Sequence, residues 1–90
     1  MTHAKRWTLD IFIDEHEDER RTRAEVRLRT PERVGLTGVG TARRRPGDPE
    51  VPEIGDELAV SRALSDLAHH LLEAAAGDLE ALSLPRRARA

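Results

Sequence analysis

Apolar and polar positions alternate through the first third of the chain. Residues 6–14 read R-W-T-L-D-I-F-I-D, with Trp7, Leu9, Ile11 and Ile13 interleaved with Thr8, Asp10, Phe12 and Asp14. A period of two in β-branched and aromatic residues predicts a half-buried strand. Residues 22–30, T-R-A-E-V-R-L-R-T, repeat the pattern, with Ala24, Val26 and Leu28 on one face and Arg23, Glu25, Arg27 and Arg29 on the other. The polar run E-H-E-D-E-R-R between them reads as a hairpin connection, which makes the two strands antiparallel. Their open face then collects Asp10, Asp14 and Phe12 beside Arg23, Arg27 and Arg29.

A turn at Pro31-Glu32-Arg33 leads into a third strand at 34–44, V-G-L-T-G-V-G-T-A-R-R. Its facing has two readings. Val39 with Thr37 and Thr41 toward the core is the favoured one. The reverse would set Gly38, Gly40 and Ala42 there for close approach. Residues 45–52 hold three prolines and a glycine, which exclude regular structure and mark a crossover.

Beyond the crossover the period changes to 3.6. Leu58, Val60, Ala63, Leu64, Leu67, Ala68, Leu71, Leu72 and Ala75 form one apolar stripe. Asp56 is the expected N-cap and Gly77 the expected residue just past the helix. A short helical turn, L-E-A-L-S-L, follows and ends at Pro85. The fold class predicted is α+β: a three-stranded antiparallel sheet covered on one face by a long C-terminal helix, plus the short terminal turn. One domain over 6–84 is expected, with flexible termini at 1–5 and 85–90.

Composition sharpens this in three ways. Ninety residues with only Trp7 and Phe12 as aromatics have little apolar area to bury, so self-association is a natural source of stability. No cysteine is present and no apolar run approaches a membrane span, so a soluble cytoplasmic protein is expected. Charge is divided. Residues 1–45 carry +3 and residues 46–84 carry −8, a division that bears on partners.

Candidate chemistry is sparse. The run 14–19, D-E-H-E-D-E, lacks the spacing and the glycine of a calcium loop. His69 and His70 are adjacent and project about 100° apart on a helix, so they cannot chelate one ion together. Ser61 and Ser65 lack a recognisable base, and the glycines of G-V-G lie inside a strand pattern. No catalytic, cofactor-binding or metal-ligating set emerges, and a non-enzymatic protein without a small-molecule substrate is expected. Arg43, Arg44 and Arg45, with Arg86, Arg87 and Arg89, are candidate phosphate contacts. Phe12, apolar on an otherwise polar face, is a candidate interface residue or a cross-strand contact, and Trp7 is grouped with it.

The segments W-T-L-D-I-F-I-D-E-H-E, T-R-A-E-V-R-L-R, G-V-G-T-A-R-R-R-P-G-D and V-P-E-I-G-D-E-L-A-V-S-R-A-L-S-D-L-A-H-H-L-L resemble an actinobacterial family of small proteins of unknown function. The resemblance spans roughly residues 7–82. It implies a β-β-β-α fold like the double-stranded-RNA-binding domain, without that domain's N-terminal helix. Some members of the family are associated with stress or dormancy, and the fold is similar to part of the ribosome hibernation factors. The expectation is therefore a dimeric stress-type protein that binds the ribosome, with Arg23, Arg27, Arg29, Arg43, Arg44 and Arg45 on rRNA phosphate. The alternative is a self-associating or protein-interaction module without nucleic acid. Glu53, Asp56 and Glu57 stand where an RNA-binding relative carries lysines, which argues against that mode of RNA binding.

Overall fold

The computed structural model describes residues 2–83. Strand β1 (Thr8–His16) leads through a short 3-10 turn to β2 (Arg21–Arg29), then β3 (Val34–Arg43), and the chain closes with helix α1 (Pro52–Ser83). The sheet is antiparallel in the order β1-β2-β3. The expected α+β architecture holds. The basic residues Arg86, Arg87 and Arg89 and the terminal segment 85–90 lie outside the described residues.

Local chemistry sets the connections. Arg20 adopts φ 50° and closes the hairpin by donating its N–H to the Glu17 carbonyl at 3.0 Å. Thr30 frames the next turn: its hydroxyl accepts the Arg33 N–H at 2.7 Å and donates to the Arg33 carbonyl at 2.9 Å. Register slips between Leu28 and Arg29, where β3 carries Gly35 at φ 97°. A glycine in that conformation is what a bulged strand requires.

The core is thin. It consists of Ala24, Val26 and Leu28 from β2, Ala42 from β3, and Ala59, Ala63 and Leu67 from α1, with Leu36, Val60 and Leu71 packed at its margin. Ala59, Ala63 and Leu67 recur every four residues, about 6 Å of helix rise. Two residues of strand advance about 6.8 Å. Helix and strand are thus nearly commensurate, and α1 runs along β3 with the same partners recurring.

That seam reverses the favoured facing of β3. Gly38, Gly40 and Ala42 are buried under the helix, and Val39 is exposed on the other face. A Cβ built on Gly38 would overlap the Ala63 carbonyl oxygen and lie 2.8 Å from Leu67 Cβ. On Gly40 it would overlap backbone of Ala59 and Ala63. Close approach of two backbones outweighs the burial of one valine.

The helix also starts earlier and ends later than its cap signals predict. It begins at Pro52, a residue suited to the first helical position because its missing N–H would be unpaired there anyway. Asp56 is therefore inside the first turns. Gly77 does not terminate α1, and the expected separate turn is part of one helix of 32 residues. Leu58, Leu64 and Leu72, expected within the buried stripe, are exposed, whereas Ala59 is fully buried. Among the described residues, no helix is long and apolar enough to cross a membrane.

Candidate interaction surface

The two edges of the sheet are treated differently. On the free edge of β3, the Val39 N–H donates to Asp66 Oδ2 at 2.9 Å. Arg62 Nη1 donates to the Thr41 carbonyl at 2.7 Å, and His70 Nδ1 lies 2.7 Å from the Thr37 carbonyl. Arg62, Asp66 and His70 stand on successive helical turns, so one flank of α1 caps three consecutive outward-pointing groups of β3. His70 is therefore a half-buried edge clamp, whereas its neighbour His69 is an exposed helix residue. An edge so occupied is closed to strand pairing.

Among the described residues, strand β1 has no such cover. A helix about 10 Å wide spans only two strands spaced about 4.8 Å apart. Because the glycines draw α1 over β3, it covers β3 and β2 and barely reaches β1. Leu9, Ile11 and Ile13 sit opposite Leu28, Val26 and Ala24 and share their face of the sheet. Yet they are 41%, 46% and 42% exposed, while their β2 partners are buried. The strand that the alternation marks as half-buried is thus open on its apolar face. Val60, Leu64 and Leu71 lie on the helix flank away from the Arg62–His70 clamp, so they border the same uncovered trough.

The predicted site residues divide into three groups. Arg23, Arg27 and Arg29 share the outer face with Asp10, Phe12 and Asp14, as the strand pattern predicts. They are paired there. Arg27 Nε is 2.6 Å and Arg23 Nη2 3.5 Å from Glu25, and Arg29 Nε is 2.9 Å from Asp10. The Arg27 and Arg23 guanidinium groups hold the Glu25 carboxyl below its usual range, with the Arg27 hydrogen bond the largest cause. Phe12 meets Arg27, whose guanidinium carbon stands 4.9 Å from the ring centroid. That cross-strand stack, of a kind contributing about 0.5–1 kcal/mol at exposed sites, accounts for an aromatic residue on a charged face. Trp7 precedes β1 and is exposed. Arg43, Arg44 and Arg45 follow one another at the end of β3. Arg44 donates to the Asp48 carbonyl at 3.0 Å, and the Arg45 N–H to Asp48 Oδ2 at 3.1 Å.

A separate cleft of about 360 Å³ lies between the hairpin end, the crossover and the start of α1. Ala42, Val51, Ile54 and Leu58 line it, together with the charged residues Arg20, Arg43, Glu15 and Glu50. Nearby, the Asp56 carboxyl, through hydrogen bonding first and its charge second, raises the Glu15 carboxyl above its ordinary value. Among the described residues there is no cluster of three potential metal ligands.

Sequence reasoning passed over Leu9, Ile11 and Ile13 as surface residues because alternation marks which face a side chain takes, not whether that face is covered. The available signal was the Gly38/Gly40 pair, which fixes where the single helix lies.

Comparison with known proteins places the chain in context. A family profile described as Rv2632c-like matches residues 5–88. The uncharacterized protein Mb1767 of Mycobacterium bovis is 53% identical over 77 residues, covering 86% of this chain and 79% of the relative. The uncharacterized protein Rv2632c of Mycobacterium tuberculosis is 49% identical over 73 residues, covering 81% and 75%. The crystal structure of Rv2632c superposes with a TM-score of 0.82 at 44% identity, spanning 93% of this chain and 96% of that one. These relatives are mycobacterial, in keeping with the resemblance to small actinobacterial proteins of unknown function. With the profile match and the shared β-β-β-α fold, the chain belongs to the Rv2632c-like family.

Proposed function

We propose that the protein is a non-catalytic protein-interaction module whose binding surface is β1 and the trough beside it. One observation carries the reading: among the described residues, Leu9, Ile11 and Ile13 form an uncovered apolar row on a strand whose edge is open, while the opposite edge is capped by Arg62, Asp66 and His70. A contiguous exposed apolar row on an unpaired edge is the arrangement that accepts a partner strand.

The competing reading is a stress-type protein docked on rRNA phosphate. It is weakened because Arg23, Arg27 and Arg29 are engaged by Glu25 and Asp10, whereas phosphate contact calls for available cations. What favours it is the Arg43–Arg44–Arg45 run, where the side chains of Arg43 and Arg45 form no ion pair among the described residues.

Affinity capture from native cells, with and without nuclease, separates the two. The module reading expects partners that survive nuclease and are lost on Ile11→Lys. Partners lost with nuclease, or ribosomal co-sedimentation that falls steeply with salt and ignores Ile11→Lys, would overturn it.

A further inference from the structure

We infer that the partner taken by β1 is a second copy of this chain, paired β1 to β1, antiparallel, about a twofold axis at Ile11. The inference rests on the module reading and names its occupant.

The backbone identifies the groups on offer. Thr37, Val39 and Thr41 direct their backbone groups to the outer edge of β3, because Arg62, Asp66 and His70 meet them there. In an antiparallel ladder, a residue's N–H and C=O point to the same side and alternate along the strand. Gly38 and Gly40 therefore bond inward to Val26 and Ala24, their register partners. The intervening β2 residues, Arg23, Glu25 and Arg27, turn to β1 and meet Asp14, Phe12 and Asp10. That leaves Leu9, Ile11 and Ile13 with backbone groups directed to the free edge of β1. The same three residues expose their side chains on the trough face. Unpaired backbone and uncovered apolar surface thus coincide residue for residue.

Among twofold axes at residues 10–13, side-chain complementarity then selects one register. With the axis at Ile11, Leu9 faces Ile13 of the partner subunit and Ile11 faces its own copy, all on the apolar face. On the outer face Asp10 meets Phe12 of the partner subunit, and Thr8 meets Asp14 of the partner subunit. No like charges are opposed. Moving the axis to Phe12 sets Asp10 against Asp14 of the partner subunit and Leu9 against Glu15 of the partner subunit. Moving it to Asp10 opposes Asp10 to itself. Like charges directly opposite destabilise a strand pair. An axis at Ile13 sets Ile11 against Glu15 of the partner subunit.

The pairing also stops at two. The joined sheet runs β3-β2-β1 and then the same strands in reverse, so both of its outer edges are β3. Each is already capped by its own helix. The association is isologous and closed, where an open second edge would permit a fibre.

Cysteine crosslinking in the full chain tests the register. Residues exchanging backbone hydrogen bonds across an antiparallel pair have Cα atoms about 5.5 Å apart, within disulfide reach. Ile11→Cys is expected to oxidise to a covalent dimer in air. Ile13→Cys, on the same face and similarly exposed, is expected to remain a thiol, since its opposite residue is Leu9 of the partner subunit. Adding Leu9→Cys to Ile13→Cys restores the crosslink. Light scattering is expected to give a dimer for the wild type and a monomer for Ile11→Lys, with helical circular dichroism retained by every variant. A monomeric wild type, or Ile13→Cys crosslinking as readily as Ile11→Cys, would overturn the pairing. If nuclease-resistant capture still depends on Ile11 in that case, the module reading survives. If that dependence is also absent, both fail.

Discussion

Gly38 lies beneath Ala63 so closely that a methyl group on the glycine would overlap the Ala63 carbonyl oxygen. Gly40 stands in the same relation to the backbone of Ala59 and Ala63. This contact sets the position of the helix and, through it, which strand is left uncovered. In an ordinary strand interior, Gly→Ala gains about 0.5–1 kcal/mol from reduced chain entropy. Here the sign is reversed. Gly38→Ala and Gly40→Ala each force the helix off β3, and overpacking of this kind costs about 1–3 kcal/mol or more. Urea midpoints followed by circular dichroism check this. Unchanged midpoints would contradict the close seam.

The strands β1 and β2 and the existence of the helix were legible because their periods of two and 3.6 are regular over many residues. The hairpin and its facing followed, and so did the company of Arg23, Arg27 and Arg29 with Asp10 and Phe12. The facing of β3 was not legible in the same way. Burial tendency favours Val39 over Gly38 and Gly40, and only backbone contact between elements decides the other way. The helix ends failed for a local reason: Asp56 and Gly77 are sound cap residues, but Pro52 is suited to the first helical position and a glycine inside a helix costs only about 1 kcal/mol. The exposure of Leu9, Ile11 and Ile13 depends on how many strands one helix can span, a property of packing that no single segment encodes.

Helix α1 passes through Gly77, and a Cβ built there meets nothing within 4 Å. Gly77→Ala is therefore expected to stabilise this part of the helix by about 1 kcal/mol. Helical ellipticity would rise and the thermal midpoint would not fall. A loss of ellipticity would mean that the glycine serves as a helix terminator after all.

Asp66 holds the capped edge at two points. It accepts the Val39 N–H at 2.9 Å, and its other oxygen lies 3.6 Å from His70 Nε2. Asp66→Ala is expected to cost about 1 kcal/mol, since both partners are partly exposed. Its more specific consequence is at the edge. The Val39 amide should exchange with solvent faster, and association should extend beyond two chains because β3 becomes available. Exchange at Val39 that matches the wild type would show that Asp66 does not close this edge.

Two carboxyl groups give the stability opposite responses to pH. Glu25 is held below its ordinary value of 4.5, first by the Arg27 hydrogen bond and then by the charges of Arg27 and Arg23. Its contribution is present above 4.5 and is lost as the pH falls through the lowered value. Glu15 is raised above 4.5, first by its hydrogen bond with Asp56 and then by the Asp56 charge. A proton bound more tightly in the folded state stabilises in full below 4.5, and that contribution is lost as the pH rises through the raised value. Glu15→Gln keeps a donor for Asp56 and removes the repulsion, so it is expected to exceed the wild type in stability at neutral pH. The difference should close as the pH falls below 4.5, where Glu15 is itself protonated. Glu25→Gln should be less stable than the wild type at neutral pH, with that deficit closing in acid. Denaturant midpoints of the three proteins across the acid-to-neutral range measure both effects. Stability differences of the same sign in the two variants, or no gain for Glu15→Gln at neutral pH, would refute the contact between the end of β1 and the first turns of α1.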